Sequence, residues 1–158
     1  MPPAPQAGAA PVVRRALPGD LEALAALFDA YRGFYEQPSD PALARRFITE
    51  RMTRGESIVF VAMPADGQAL AGFCQLYPTF CSVEAAPIRV LYDLFVSPSA
   101  RGQGLAGALM QAAEDDSRRA GCARLDLSTA HTNLAAQALY ESRGWKRDDV
   151  FRVYNLAL

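Results

Sequence analysis

The chain has 158 residues, of which 51% are hydrophobic and 21% are charged, and its formal net charge at pH 7 is −1. This length usually corresponds to one domain, and it is sufficient to bury a core without disulfide bonds. Because phosphate binding needs a clustered basic excess, the charge argues against a dedicated nucleic-acid-binding protein. No apolar run is long enough to cross a bilayer, so a membrane partner is not expected either.

The cysteine pattern and the start of the chain favour a cytoplasmic protein. The three cysteines, Cys74, Cys81 and Cys122, lack the paired spacing of a zinc site and make an odd count for a disulfide framework. We therefore expect reduced packing residues. The first residues are rich in proline and alanine and lack the basic start and continuous apolar stretch of a signal peptide. We predict a disordered tail over residues 1–10 and a single domain over residues 11–158.

The first third of the chain predicts one strand followed by two helices. Residues 11–17 are partly β-branched, and Pro-Gly-Asp at 18–20 supplies turn chemistry. Apolar side chains then recur at helical spacing over residues 21–31. A second run with this spacing covers residues 43–52, and Gly55 is its expected stop.

The remaining sequence alternates strands with helices. Two apolar stretches joined by Pro-Ala-Asp-Gly predict a hairpin, and Gly121 and Gly144 mark the ends of two later helices. The predicted strands cover residues 57–63, 69–77, 88–96, 124–129 and 151–158, and the predicted helices cover residues 104–120 and 133–143. This order, without a repeat or a linker, predicts one α/β domain with a mixed sheet.

The most informative stretch is a strand, a tight turn and a helix start over residues 94–107, with the sequence LFVSPSARGQGLAG. Glycines let backbone N–H groups approach an anion without an intervening Cβ. The helix N-terminus adds N–H donors and a partial positive charge, which together suit a pyrophosphate. Arg101 can add a formal charge at the rim. On these residues alone, a closely packed helix start that binds no ligand remains equally open.

Other phosphate-binding loops fit this stretch poorly. The P-loop pattern GxxxxGK[ST] is absent from the sequence. Residues 102–107 spell G-x-G-x-x-G, as in dinucleotide-binding proteins, but they follow the fourth predicted strand rather than an early one. The acidic residue at the expected distance, Asp126, lies on a strand whose place in the strand order does not match that of the dinucleotide-binding fold. A nicotinamide-dependent oxidoreductase is therefore a weak alternative.

Two motifs together resemble the GNAT superfamily of N-acetyltransferases. Arg101, Gly104 and Ala106 meet the pattern R/Q-x-x-G-x-G/A of the family's motif A. Residues 133–145 (NLAAQALYESRGW) resemble its later motif, N-x-x-A-x-x-L-Y-x-x-x-G-F/W. The motifs occur in the right order, and the resemblance covers residues 11–158. It implies the GNAT acyl-CoA N-acyltransferase fold, an α/β fold with a mixed, mostly antiparallel sheet of about six to seven strands, four flanking helices and splayed fourth and fifth strands.

The resemblance implies acetyl-CoA as cosubstrate, without a metal, in the cleft between the splayed strands. Backbone groups of three strand residues would hold the thioester and the pantetheine arm, loop amides would cradle the pyrophosphate, and an asparagine would contact pantetheine. These residues are, in the same order, Leu94, Phe95 and Val96; Arg101, Gly102, Gln103, Gly104, Leu105, Ala106 and Gly107; and Asn133. Pantetheine carries amides that can pair with an open strand edge as another strand does, which supports the implied contacts.

The same resemblance places a general acid at Tyr140, where a phenol can give a proton to the departing thiolate. By spacing alone, core packing is the commoner role for this aromatic residue. Many relatives place a base five residues before the motif asparagine, but that position is Ser128 here, which cannot serve alone. The leading substitute is Asp93, for which a structural hydrogen-bonded carboxylate is an equal alternative, and Glu84 is a weaker candidate.

The acceptor pocket is assigned by the resemblance to the first two helices and the link between the third and fourth strands. Aromatic and acidic side chains there suit a cationic amine through cation–π contacts and ion pairing. They are Tyr31, Tyr35, Tyr77 and Glu84. The predicted acceptor is a small primary amine, polyamine-like or amino-acid-like, with the α- or ε-amine of a protein as the runner-up. A non-catalytic acyl-CoA-binding module is an alternative of another class, and the last predicted strand allows a homodimer.

Overall fold

The computed structural model describes residues 9–67 and 69–158. The chain divides into two compact units, and the second begins after Leu127. Residues 1–8 of the predicted tail lie outside the described part. The tail and the single-domain organisation therefore stay predictions, and the two units are described separately.

A five-stranded sheet forms the centre of the first unit in the described part of the chain. Its strands are β1 (Val12–Arg15), β2 (Ile58–Met63), β3 (Gly72–Cys81), β4 (Ala86–Val96) and β5 (Leu125–Asp126), in this order across the sheet. Strands β1 to β4 are antiparallel neighbours, and β5 runs parallel to β4. The mixed, mostly antiparallel sheet confirms the predicted fold class, although β5 is shorter than the strand expected over residues 124–129.

The described part of the chain contains four α-helices. They are α1 (Leu21–Phe34), α2 (Pro41–Thr53), α3 (Leu105–Arg119) and, in the second unit, α4 (Leu134–Ser142). Local chemistry sets their ends: the Asp40 carboxylate accepts the backbone N–H of Leu43 at 2.9 Å and caps α2. Gly121, with φ of 73°, lets the chain leave α3 in the left-handed conformation. Among the described helices, none combines the length and apolar character that crossing a membrane requires.

Both faces of the sheet are covered. Helices α1 and α2 bury Leu24 and Ile48 in one cluster with Phe73 of β3. Neighbouring side chains of a strand point to opposite faces, so Cys74 points away from this cluster. Its thiol lies 3.8 Å from the carbonyl oxygen of Leu109, which places α3 against the other face. The sheet thus lies between the α1–α2 pair and α3.

An ion pair between a buried arginine and a partly buried aspartate links α3 to β4. Arg89 of β4 donates from Nη1 to the Asp116 carboxylate at 2.7 Å and to the Ser117 hydroxyl at 3.1 Å. A guanidinium buried to this degree is tolerated because these acceptors replace the water that it loses. The contact holds the helix whose N-terminus follows the glycine-rich turn.

The second unit differs from the sequence prediction. Residues 151–158 were expected to form a last strand, and the structure describes no strand there. Instead, the Asp148 carboxylate accepts the backbone N–H groups of Val150 and Phe151 at 2.8 and 3.0 Å, which begins the segment with a turn. Alternating apolar residues favour a strand, but a strand also needs a neighbour to complete its hydrogen bonds. The expected count of six or seven strands is therefore too high, and this segment is one of the reasons.

Gly72 lies where β3 and β4 pack tightly, and we expect Gly72→Ala to destabilise the protein. A Cβ at this position would lie 3.0 Å from the carbonyl oxygen of Phe95 and 3.3 Å from Cγ2 of Val96. Overpacking of this kind costs roughly 1–3 kcal/mol in the free energy of unfolding, measurable by urea titration. Gly33→Ala is the matched control, because no described atom lies within 4 Å of its Cβ position in α1. An equal effect of both substitutions would contradict this account.

Candidate active site

A β-bulge in β4 organises the site. Gln75 of β3 pairs with Asp93, whereas the next residue, Leu76, pairs with Leu91. Tyr92 is therefore the extra residue, and its side chain is 64% exposed. Its carbonyl oxygen lies 3.4 Å from the Tyr31 hydroxyl of α1, which can donate to it. The bulge sets an exposed tyrosine next to a buried aspartate on one strand.

The edge of β4 that faces β5 is open beyond this point in the described structure. The two strands pair only through Arg89 with Leu125 and Val90 with Asp126. The following residues of β4, from Leu91 to Val96, have no β5 partner among the described residues. An unpaired strand edge offers alternating N–H donors and carbonyl acceptors to a ligand that carries amides. The N–H of Ser97 donates to the carbonyl oxygen of Ala71 at 2.8 Å on the β3 side, so by alternation the backbone groups of Phe95 also point to β3. The predicted residues whose backbone groups point to the open edge are therefore Leu94 and Val96.

The turn after β4 leaves backbone donors uncovered. Gly102 and Gly104 have φ angles of 76° and 80°, and among the described residues no atom lies within 4 Å of a Cβ built at either position. Gly104 is the N-cap of α3 and has no side chain to cap the helix. The first-turn N–H groups at residues 105–107 therefore lack intrahelical acceptors. This backbone, together with the partial positive charge of the helix end, fits an anionic pyrophosphate.

Arg101 has a more local partner than the sequence suggests. Its Nε donates to the carbonyl oxygen of Val96 at 3.1 Å. The arginine thus ties the glycine turn to the end of β4. Its terminal nitrogens carry the formal charge beside the exposed loop, where Gln103 is also exposed.

A buried carboxylate lies behind the bulge. Asp93 is 4% exposed, and its Oδ2 accepts a hydrogen bond of 2.6 Å from Nε2 of the fully buried Gln75. Burial raises the pKa of Asp93 above its usual range, while hydrogen bonds from Gln75 and Tyr31 act in the opposite direction. The other amide atom of Gln75, Oε1, has no hydrogen-bond partner among the described residues.

Aromatic rings surround this carboxylate. The Tyr31 ring packs 5.9 Å from that of Phe73 and 5.1 Å from that of Tyr35. On the neighbouring strands, the Tyr77 and Tyr92 rings lie 5.4 Å apart. Burial and the nearby Asp93 carboxylate raise the pKa values of Tyr31 and Tyr77, so both hydroxyls stay protonated near neutral pH. The structure therefore brings the predicted acceptor tyrosines of α1 and β3 together with Asp93.

Glu84 is not part of this group. It lies in the turn between β3 and β4, and its carboxylate accepts from Nη1 of Arg124 at 2.7 Å. Asp93 comes seven residues after Ala86, where β4 begins, which corresponds to about 23 Å of extended strand. The resemblance placed Glu84 in the acceptor pocket because it belongs to the link between the third and fourth strands, but the length of β4 separates it from Asp93.

The two remaining predicted residues belong to the second unit. Asn133 is the N-cap of α4, and its Oδ1 accepts the backbone N–H of Ala136 at 3.3 Å. Tyr140 lies on the same helix, with its ring 6.3 Å from that of Trp145. The helix start therefore occupies the Asn133 oxygen, and the roles proposed for these residues toward acetyl-CoA stay predictions.

Gln75 is the residue that sequence reasoning missed. It interrupts the apolar run Gly-Phe-Cys-Gln-Leu-Tyr of β3, and a polar residue inside a buried strand needs a partner. That signal was present in the sequence. The identity of the partner, Asp93, depends on the register of β3 and β4.

Comparison with known proteins identifies the family. The model of the acetyltransferase (GNAT) family matches residues 23–145, which is more than half of the chain. The chain belongs to the acetyltransferase (GNAT) family. The matched residues include the bulged strand, the glycine turn and the later motif at 133–145. The protein is therefore an acetyltransferase, in agreement with the resemblance seen in its sequence.

Individual relatives support this assignment over nearly the full length. The chain is 42% identical over 144 residues to the uncharacterized N-acetyltransferase YhfO of Bacillus subtilis (strain 168), covering 91% of this chain and 95% of that protein. The crystal structure of a probable acetyltransferase superposes with a TM-score of 0.86 at 37% identity, covering 93% of this chain and 97% of that one. An aminoglycoside N(6')-acetyltransferase type 1 of Stenotrophomonas maltophilia is 28% identical over 143 residues, 89% of each chain.

The raised pKa of Asp93 predicts a pH-dependent cost of folding. A carboxyl whose pKa is higher in the folded than in the unfolded state stabilises the fold at a pH below its unfolded value, about 3.9. This contribution is lost as the pH rises through the folded-state pKa. The free energy of unfolding of Asp93→Asn minus that of wild type should therefore increase as the pH rises from about 4 through the folded-state pKa, by about 1.4 kcal/mol per unit of pKa elevation.

Urea titrations at several pH values measure this difference. Asp66→Asn is the matched control, because it makes the same chemical change on an exposed turn. The difference in free energy of unfolding between Asp93→Asn and wild type could instead stay constant with pH, or change as the control does. In that case, ionisation of the buried carboxylate does not destabilise the fold.

Proposed function

We propose that the protein is an N-acetyltransferase that moves the acetyl group of acetyl-CoA to a small primary amine by direct attack in a ternary complex. The single observation that carries this proposal is the open edge of β4, which leads directly into the glycine turn and the start of α3. One continuous strand-turn-helix segment thus offers a partner for amides and a cradle for phosphates.

The donor side of the proposal uses backbone groups. Leu94 and Val96 would bind the thioester and pantetheine portions along the strand edge. The amides at residues 101–107 would bind the pyrophosphate, and Asn133 would contact the pantetheine arm. The uncovered glycines support this assignment, since a Cβ would fill the space beside the donors. No metal is needed for this chemistry, because the thioester is already an activated acyl group.

The reaction needs two proton movements. The acceptor nitrogen first loses a proton, attacks the thioester carbonyl and forms an N–C bond. Collapse of the tetrahedral intermediate then breaks the C–S bond, and the thiolate takes a proton, for which we propose Tyr140 as donor. We propose that the acceptor's proton passes toward Asp93, whose raised pKa suits it to receive one.

The surroundings of Asp93 support a cationic acceptor. Tyrosine faces next to a carboxylate attract an ammonium ion through cation–π and Coulomb interactions. A small polyamine-like or amino-acid-like compound fits this chemistry, and the aminoglycoside acetyltransferase among the relatives supports a small molecule bearing amines. A protein amine is the second candidate acceptor. We also predict a cytoplasmic location and a possible homodimer. We expect neither a nucleic-acid partner nor a membrane partner.

The direct test combines a thiol-release assay with thermal unfolding. Acetyl-CoA at a hundredfold excess over its dissociation constant should stabilise the protein by about 2.7 kcal/mol. Thiol release should then occur with members of a panel of polyamines, amino acids and aminoglycosides, and more weakly with peptides. Gly104→Ala should reduce the acetyl-CoA stabilisation, whereas Gly55→Ala, at a comparable φ of 64°, should not.

Each outcome of this experiment has a separate meaning. No stabilisation at saturating acetyl-CoA would overturn the donor site. Stabilisation without thiol release from any acceptor would favour a non-catalytic acyl-CoA-binding module. Faster release with peptides than with small amines would favour the protein acceptor.

Tyr140→Phe tests the proposed acid. Removal of the hydroxyl should lower kcat by roughly 10²-fold, because the thiolate would leave without its proton donor. Stabilisation by acetyl-CoA should remain near that of wild type. Tyr154→Phe makes the same change outside the proposed site and should keep full turnover. Unchanged kcat in Tyr140→Phe would remove this residue from the mechanism.

A further inference from the structure

Asp93 is too deeply buried to meet the acceptor itself. Only 4% of the residue is exposed, and Gln75 beside it is fully buried. A base that takes a proton directly must come within hydrogen-bond distance of it, or one water away. A group that links Asp93 to the surface is therefore required if this carboxylate receives the proton.

Tyr31 has the position of such a link. Its side chain is only partly buried, its ring packs against Phe73 and Phe95, and its hydroxyl lies 3.4 Å from the carbonyl oxygen of Tyr92 at the bulge. The same hydroxyl also interacts electrostatically with Asp93, the residue that follows Tyr92 in β4. A phenol both donates and accepts hydrogen bonds, so it can pass a proton without accumulating charge.

We propose that Tyr31 relays the acceptor's proton to Asp93, an inference that rests on the proposed acetyl transfer. The bound ammonium gives one proton to the Tyr31 oxygen while the Tyr31 O–H proton moves to a carboxylate oxygen of Asp93. The nitrogen keeps its electron pair, which then forms the bond to the acetyl carbon. Tyr31 ends the step as a neutral phenol, and Asp93 ends it as a neutral acid. Reverse transfer to water after product release restores both groups.

Gln75 supports either state of this carboxyl. Against the ionised form, Nε2 donates to Oδ2 at 2.6 Å, as observed. Against the protonated form, rotation of the amide by half a turn lets the carboxyl O–H donate to Oε1. That oxygen is the buried atom without a hydrogen-bond partner among the described residues. The glutamine thus positions Asp93 in both protonation states, which explains why an unpaired acceptor is retained beside it.

A series of acceptors that differ in amine pKa tests the relay. Fluorine substitution next to the nitrogen lowers the amine pKa from above the assay pH to below it, while the carbon skeleton stays the same. Tyr31→Phe keeps the aromatic ring and removes only the hydroxyl. Its kcat/KM should fall by roughly 10²-fold with the protonated amines and by less than about threefold with amines that are already neutral. The ratio of wild type to variant cancels the intrinsic nucleophilicity of each amine.

Two further measurements make the result specific. Raising the assay pH should restore the activity of Tyr31→Phe with the basic amines, since solvent then supplies the neutral form. The titratable groups that face this hydroxyl are Asp93, Tyr35 and Tyr92, and Tyr77 also interacts with Asp93. Asp93→Asn should show the same dependence on amine pKa, while Tyr154→Phe should match wild type throughout.

The outcomes separate the relay from the proposed function. If wild type acetylates the amines but Tyr31→Phe loses the same factor with every one, Tyr31 acts in binding alone and the relay is overturned. If Tyr31→Phe retains wild-type rates with basic amines, the hydroxyl has no role. If wild type binds acetyl-CoA but acetylates no amine, the proposed function fails and the relay fails with it.

Discussion

The backbone of β4 cannot satisfy its hydrogen bonds on both sides along its whole length, and the rest of the site depends on this constraint. The strand keeps two neighbours only as far as Val90. The bulge at Tyr92 follows almost at once, where it disturbs the ladder with β3 and turns Asp93 into the interior. The open edge, where we propose that the donor binds, and the buried carboxylate, which we propose takes the acceptor's proton, thus result from two neighbouring changes in strand pairing, one on each side of β4.

The carboxylate must hold a proton strongly, which requires burial, and it must exchange that proton with the acceptor, which requires access. These two requirements conflict. A carboxylate in water holds its proton weakly, whereas one surrounded by aromatic rings and a glutamine holds it more strongly. Such a group cannot also contact the acceptor. In the proposed relay, a neutral phenol between them would keep the carboxylate buried and still allow transfer, and it would add one more residue whose geometry must be maintained. The rings that exclude water also present faces to a cation.

The sequence predicts much of this architecture, because its signals are local. Periodicity and turn residues give the helices and β1 to β4 closely, and the glycines mark the turn that precedes α3. The bulge, the Gln75–Asp93 bond and the limited pairing of β5 depend on strand register, which no short pattern encodes. The expected strand over residues 151–158 was wrong for a related reason. The alternation of apolar and polar residues is a property of the segment alone and does not show whether a partner strand is present. Glu84 lies apart from Asp93 because the link between β3 and β4 is at one end of β4, whereas Asp93 lies near the other end.

Gly72 has an evolutionary consequence. It belongs to neither motif, and no ligand atom needs to touch it, yet its missing side chain makes room for the peptide oxygen of Phe95. A larger residue at this position would displace the part of β4 where we propose that the thioester binds, even in a chain that still folds. Selection for stability and selection for turnover therefore both favour the absence of a side chain at Gly72. Among descendants that keep the activity, we expect glycine to be retained here as strictly as in the glycine turn. The reason is packing between strands, which an inspection of ligand contacts would overlook.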